Sequence, residues 1–154
     1  YAQMIDAAEK QGTQIVSAAQ NMTFTLGRAR VTFIGPARTQ HTDSRDDGLT
    51  LRIDYGQTSV VVTGCITSNG EKEIVSSGAA AACDALIVSR GGTEAATCAE
   101  WVEAAKPKVA LITGKNPANS VRIRLQKYGA TVYAAKENGV MTLFSDGQEI
   151  TVEP

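Results

Sequence analysis

Aromatic residues make up only 5% of this 154-residue sequence, and it holds a single Trp and a single His. Its packing must therefore rest on Val, Ile, Leu and the many Ala residues. A histidine-rich metal centre cannot be assembled from one imidazole. The three cysteines, Cys65, Cys83 and Cys98, are an odd count with no C-x-x-C pair. They suggest neither a disulfide framework nor a structural zinc site, and buried free thiols are the default reading. No apolar run approaches the ~20 residues needed to span a bilayer. The opening Tyr1-Ala2-Gln3-Met4 has no charged stretch followed by an apolar one, so it does not read as a signal peptide. The chain also does not open on Met, and a trimmed form or a piece of something longer is expected. An excess of either charge is missing too. The formal net charge is −1, so no general field pulls the chain onto nucleic acid or an anionic membrane.

What is present is ordinary for a globular domain: 43% hydrophobic and 20% charged residues. The length suits one domain, 1–154, with a real core. Residues 2–10 read as a short helix, stopped by Gln11-Gly12. Gln14-Ile15-Val16 is a short strand candidate. Met22 to Leu26 and Arg30 to Ile34 alternate apolar with polar around Gly27-Arg28, the pattern of a hairpin. A polar stretch follows from Gly35-Pro36 to Gly48, holding His41, Asp43, Asp46 and Asp47. A structureless segment of that length is usually a surface or active-site loop. Leu49 to Ile53 and Ser59 to Thr63 form a second hairpin around Tyr55-Gly56-Gln57.

After Gly64 the pattern changes to alternating helix and strand. Glu71 to Ser76 reads as a short helix, and Ala85 to Val88 as a buried strand. A helix is expected over Ala95 to Ala105, with Thr93 or Glu94 near its start. Val109 to Ile112 is a third apolar strand. Asn119 to Tyr128 is a helix with Val121, Leu125 and Tyr128 on one face and Gly129 at its end. Thr131 to Tyr133 is a strand, and Val140 to Phe144 with Glu149 to Val152 make a last hairpin. The pattern predicts an α/β domain with a mixed sheet and helices on one face.

Four stretches in order resemble the second half of a metallo-β-lactamase-like domain of the kind found in ComEC-type competence (DNA-uptake) proteins. Arg30 to Pro36 is similar to a family strand ending in Gly-Pro. Leu49 to Gly64 looks like the hairpin that ends in Thr-Gly-Asp. Ala85 to Lys108 resembles strand, His-His-Gly-Ser turn, helix and Lys-Pro-Lys. Val109 to Gly147 resembles strand, His-Pro turn, helix, Gly-Ala-Thr-Val-Tyr strand and closing hairpin. The resemblance covers nearly the whole chain and implies half of a metallo-β-lactamase αββα sandwich. It also implies the extracytoplasmic face of a bacterial membrane, if the chain belongs to a competence-type protein.

The departures fall on the chemistry. By this resemblance the bridging Asp corresponds to Cys65. The His-His-Gly-Ser turn corresponds to Arg90-Gly91-Gly92-Thr93, and the His of the His-Pro turn to Asn116. The family's main ligand motif, H-x-H-x-D-H, normally lies upstream of a segment like residues 1–12. An amide oxygen is a weak zinc ligand, and a permanent guanidinium repels a metal. Cys65, Arg90, Gly91, Thr93 and Asn116 therefore read as positions of a vestigial site, with no cofactor, no metal and no catalytic residue expected.

Other readings stay beside this one. Cys65 is either a thiolate ligand or nucleophile, or a small apolar residue at a strand end. His41 is a ligand or base, or a solvated loop histidine. Arg90 to Thr93 is an anion-gathering turn, or a plain loop with a Thr N-cap. Arg122, Arg124 and Lys127 are a nucleic-acid patch or a solvated helix face. The preferred function is a degenerate, non-catalytic domain that binds or supports. The alternative is part of a metal-dependent hydrolase or nuclease whose ligands lie upstream. Half a sandwich leaves one apolar sheet face open, so self-association or a missing N-terminal half is the expected partner.

Overall fold

The first strands follow from period-two alternation. β1 (Thr23–Leu26) and β2 (Ala29–Gly35) pair antiparallel through a turn at Gly27, and β3 (Thr50–Tyr55) and β4 (Thr58–Val62) pair through Gly56. These elements come from a computed structural model, which describes residues 2–153; Tyr1, part of the amino-terminal reading above, and Pro154 lie outside the described residues. β2 joins β3 antiparallel with a bulge between Phe33 and Gly35. From β4 onward the chain alternates: α2 (Ser68–Ser76), β5 (Ala85–Ile87), α3 (Ala99–Ala105), β6 (Val109–Ile112), α4 (Asn119–Lys127) and β7 (Thr131–Ala134). β4 to β7 pair in parallel, so the seven strands stand side by side in chain order.

That order decides where the helices go. Each parallel step needs a crossover, and crossovers are right-handed. Three successive steps in one direction place α2, α3 and α4 on one face of the sheet. The core lies there. Val61, Leu86, Ala110 and Ile112 from the strands meet Ile74, Trp101, Val102, Val121 and Leu125 from the helices, all 0–1% exposed. The expected mixed α/β sheet with helices on one face is what the structure shows.

The registers also define the opposite face. Phe33, Leu51, Val62, Ile87, Leu111 and Tyr133 stand in one cross-strand row. Val31, Ile53, Val60, Ala85 and Val109 form the next. The buried cluster includes none of these eleven residues. Only Val31, Ala85 and Leu111 among them are buried, and the rest are partly exposed. The closing hairpin meets the edge of this face: the Gln57 amide donates to the Gly147 carbonyl at 2.6 Å, and the Thr58 and Ser145 hydroxyls lie 2.6 Å apart. α1 (Ala2–Lys10) has no buried residue, and β8 (Thr142–Ser145) with β9 (Ile150–Glu153) forms a separate two-stranded sheet. Among the described residues no helix is long and apolar enough to cross a membrane.

Several elements differ from expectation for physical reasons. Gln14 to Val16 is not a strand: Ile15 and Val16 are exposed and pair with no neighbour. α2 begins at Ser68 rather than Glu71, because Thr67 caps it by accepting from the Asn69 amide at 3.2 Å. α3 begins at Ala99, four residues later than the Ala-rich sequence suggests. Thr97 sits at φ +59°, outside helical space, and Cys98 takes the cap position, so neither Thr93 nor Glu94 does. α4 ends at Lys127, with Tyr128 as cap and Gly129 at φ +90° beyond it. A short α5 (Ala135–Asn138) was not foreseen; the Asn138 side chain accepts from the Ala134 amide.

Candidate functional site

In a parallel sheet the loops after the strand ends gather side chains from distant parts of the sequence. Here the loops after β4, β5 and β6 converge. The Arg90 amide donates to the Gly64 carbonyl at 3.1 Å, and the Ser89 hydroxyl to the Ile66 carbonyl at 2.6 Å. The Ala118 amide donates to the Gly92 carbonyl at 2.8 Å. Arg90 and Gly91 are both left-handed, at φ 50° and 61°. A Cβ on Gly91 would stand 2.7 Å from the Gly114 Cα, so the close approach of these two loops needs glycine there. The five residues singled out from the sequence thus lie on one loop cluster.

Their side chains do not make a binding set. Cys65 and Asn116 are exposed, and Arg90 and Thr93 are partly exposed. The Thr93 hydroxyl is buried without a partner, at the end of the 3-10 turn Ser89–Gly92 rather than at a helix start. Two amides that could have faced an anion, those of Arg90 and Ala118, are already committed to carbonyls. These donors, one thiol, one guanidinium and one amide, do not fit the ion implied by the resemblance. Among the described residues no group of three or more His, Cys, Asp or Glu side chains could hold a metal.

A second cluster forms where the polar loop meets α2. The His41 ring is not solvated: its side chain is 4% exposed. Nδ1 lies 2.8 Å from Asp47 Oδ1, and Nε2 lies 2.8 Å from Glu73 Oε2. Ionised carboxylates only accept, so the doubly protonated imidazolium, with both ring nitrogens donating, is the form that satisfies both contacts. Asp47 first and Glu73 after it raise the His41 pKa, against its burial. Arg38 grips Glu73 with two bonds, of 3.0 and 2.8 Å, and Glu73 is held below the usual carboxylate range mainly by that contact. With no free lone pair, the ring is neither base nor ligand in this state; it ties the loop to α2. Arg38, His41, Asp43, Arg45, Lys72 and Glu73 help line an open cavity of about 720 Å³. Each of its cations has an acidic partner: Arg38 with Glu73, Arg45 with Asp43, Lys72 with Glu100.

Two buried carboxylates lie behind this loop. Asp46, 3% exposed, accepts from the Thr67 amide at 2.6 Å and the Thr67 hydroxyl at 2.9 Å. Gly70 makes room for it, since a Cβ there would stand 2.7 Å from Asp46 Oδ1. Glu71, fully buried, accepts from the Thr97 and Cys98 amides at 2.6 and 2.8 Å. Burial pushes its carboxyl up to about 7, while those amides pull it down. Arg124 donates to the Thr97 carbonyl at 2.5 Å and Arg122 to Glu137 at 2.5 Å, so two of the three basic residues on α4 are engaged, while Lys127 is exposed. Cys83 and Cys98 are buried thiols, each pushed up to about 12 by desolvation, as core cysteines should be. Cys65 instead sits exposed in the turn after β4, not packed as a small apolar residue.

Sequence reasoning missed Glu71, Glu73 and Asp46. A signal existed for Glu71. It lies three and four residues before Ile74 and Val75, on the apolar stripe of α2, where a charge needs a partner.

The fold and loops define an α/β domain with a parallel-strand loop cluster where, among the described residues, no three His, Cys, Asp or Glu side chains gather. Its similarity to known proteins is limited. No protein-family model matches the chain. ComE operon protein 3 of Bacillus subtilis (strain 168) is 24% identical over 144 residues, covering 90% of this chain and 19% of that protein. The chain thus spans about a fifth of the length of the curated relative it matches.

Proposed function

We propose that this chain is a degenerate metallo-β-lactamase-type domain of a competence, or DNA-uptake, protein, with a binding or structural role and no hydrolysis of its own. The observation that supports this most is the side-chain set on the converged loops. Cys65, Arg90, Gly91, Thr93 and Asn116 offer no array of imidazoles and carboxylates that could seat an ion and lower the pKa of its water. Similarity over 90% of the chain to ComE operon protein 3 supports the competence association. In this reading residues 1–154 form one folding unit on the extracytoplasmic side of a bacterial membrane.

The test is metal content and phosphodiesterase turnover of the purified chain with zinc or manganese supplied. The expected result is no stoichiometric metal and no turnover above metal alone. One ion per chain seated among Cys65, Arg90 and Asn116 would overturn the reading.

A second reading is favoured by coverage. The chain spans only 19% of its relative, so it also fits part of a metal-dependent hydrolase or nuclease whose ligands lie in an upstream segment. The same assay on a longer parent protein separates the two. DNA gripping without cleavage is the third reading, opposed by the net charge of −1. A gel shift at moderate salt is expected to show no complex.

A further inference from the structure

We propose that residues 39–45 form a pH-released strap: with His41 charged they dock against α2 and wall the cavity beside it, and with His41 neutral they lift away and that wall opens. The inference concerns regulation of the cavity and does not depend on the competence reading. It rests on two carboxylates that bracket one buried ring.

The polar loop is pinned to its surroundings at both ends. At one end Arg38 grips Glu73 of α2 with two bonds. At the other, Asp46 takes the Thr67 amide and hydroxyl at the start of α2. Between these pins, the bond that reaches α2 is the one from His41 to Glu73, at 2.8 Å. The bonds of Arg45 to Asp43 stay within the strap. The His41 amide and ring Nδ1 both meet Asp47 Oδ1, at 3.2 and 2.8 Å, which folds the strap back on itself. Gln40, just before the ring, sits at φ +66°. That left-handed conformation is costly for a residue with a Cβ and persists where surrounding contacts hold it. The docked strap is therefore under local strain, and release relieves it.

Loss of one proton breaks this arrangement. A neutral imidazole has one N–H and one lone pair. One of the two carboxylates, each 2.8 Å from the ring, then faces a lone pair, on a side chain only 4% exposed to water. Two acceptors at that distance repel, so either Asp47 or Glu73 must withdraw. The charges that act on the ring are Asp47 from its own loop and Glu73 from α2, which favour the proton, and Arg38, which opposes it. Neighbouring groups are turned elsewhere: Lys72 of α2 to Glu100, Arg45 to Asp43, and Asp46 to Thr67. From the loops after β4 and β5, Cys65 and Arg90 act on Arg45 and Asp43 rather than on the ring. Because Asp47 and Glu73 raise the His41 pKa above the ordinary 6.5, docking is complete below 6.5 and is lost as pH rises through the folded value. The cavity that strap and α2 wall together is about 720 Å³, the size of a small-molecule site, so this proton controls the shape of a pocket.

The experiment is nuclear magnetic resonance of the whole chain from pH 5.5 to 9. It follows the His41 ring together with carbon-13 relaxation at the Cα positions of residues 39–45, which needs no exchanging amide proton. Order parameters of the strap should fall from ~0.85 to below ~0.6, with the ring's own midpoint, while buried Val61 and Leu86 stay rigid. Glu73→Gln supplies an amide that donates to the neutral ring. Its strap should therefore stay ordered up to pH 9, with an unchanged circular dichroism spectrum. A strap equally ordered across the range while the ring titrates overturns the proposal. So does a loss of order whose midpoint departs from the ring's, or one that persists in folded Glu73→Gln, since another group then drives it. A ring that titrates below 6.5, or stays charged at pH 9, overturns it as well.

Discussion

Leu86 and Ile87 are neighbours on β5, yet they stand in different environments. Leu86 is fully buried among Trp101, Val102 and Ile112, while Ile87 is partly exposed between Val62 and Leu111. Along β5 and β6 both faces are apolar in sequence and unequally covered in space. Composition therefore does not say which face is the core. Strand order and the handedness of crossovers do.

The sharpest way to break that comparison is a matched pair of truncations. Leu86→Ala should cost ~3 kcal/mol in urea unfolding, within the range for buried Leu. Ile87→Ala should cost ~1 kcal/mol or less. Equal losses would mean that Ile87 is packed as closely as Leu86.

Polar groups on the helix side are held as tightly as apolar ones, and one of them makes stability depend on pH. The Glu71 carboxyl has a folded pKa of about 7, against 4.5 for the free group. The folded state keeps a proton that the unfolded chain gives up, so stability is greatest below pH 4.5 and falls as pH rises to about 7. The loss is on the order of 3 kcal/mol. Glu71→Gln should remove that slope, read as the wild-type minus variant difference in unfolding free energy at pH 4.5 and 7.5. A difference that stays constant across this window sinks the assignment.

A somewhat smaller effect is expected at Asp46. Asp46→Ala leaves the Thr67 amide and hydroxyl without their acceptor at a buried helix start. The expected loss is ~2 kcal/mol, with faster hydrogen exchange at the start of α2. An unchanged α2 would mean that Thr67 finds another partner.

How much of this was legible in the sequence differs between fold and site. Hairpins and apolar strands could be read because period-two alternation and β-branched runs are local signals. The start of α3 could not, because Ala95 and Ala96 favour helix and only the distant Glu71 carboxylate, drawing on the Thr97 and Cys98 amides, sets the boundary. The convergence of Cys65, Arg90 and Asn116 came from resemblance, and the loop bonds bring their backbones together. The His41 clamp was invisible because its second carboxylate, Glu73, lies 32 residues away. A lone histidine in a polar loop reads as solvated until that partner is placed.

That clamp lies at the rim of the covered side, and it gives the smallest expected effect. The folded pKa of His41 is raised, so the charged ring favours the folded state. Its contribution is complete below the unfolded value of 6.5 and is lost as pH rises through the folded value. His41→Gln should therefore cost stability at pH 6 and less at pH 8.5, the opposite of what removing a buried neutral histidine would do. Because Arg38 still holds Glu73 after the change, the loop should loosen rather than detach. Nuclear magnetic resonance titration of the single imidazole is the direct check, since no other histidine can confuse it. A ring that titrates at or below 6.5 would mean that Asp47 and Glu73 do not hold it.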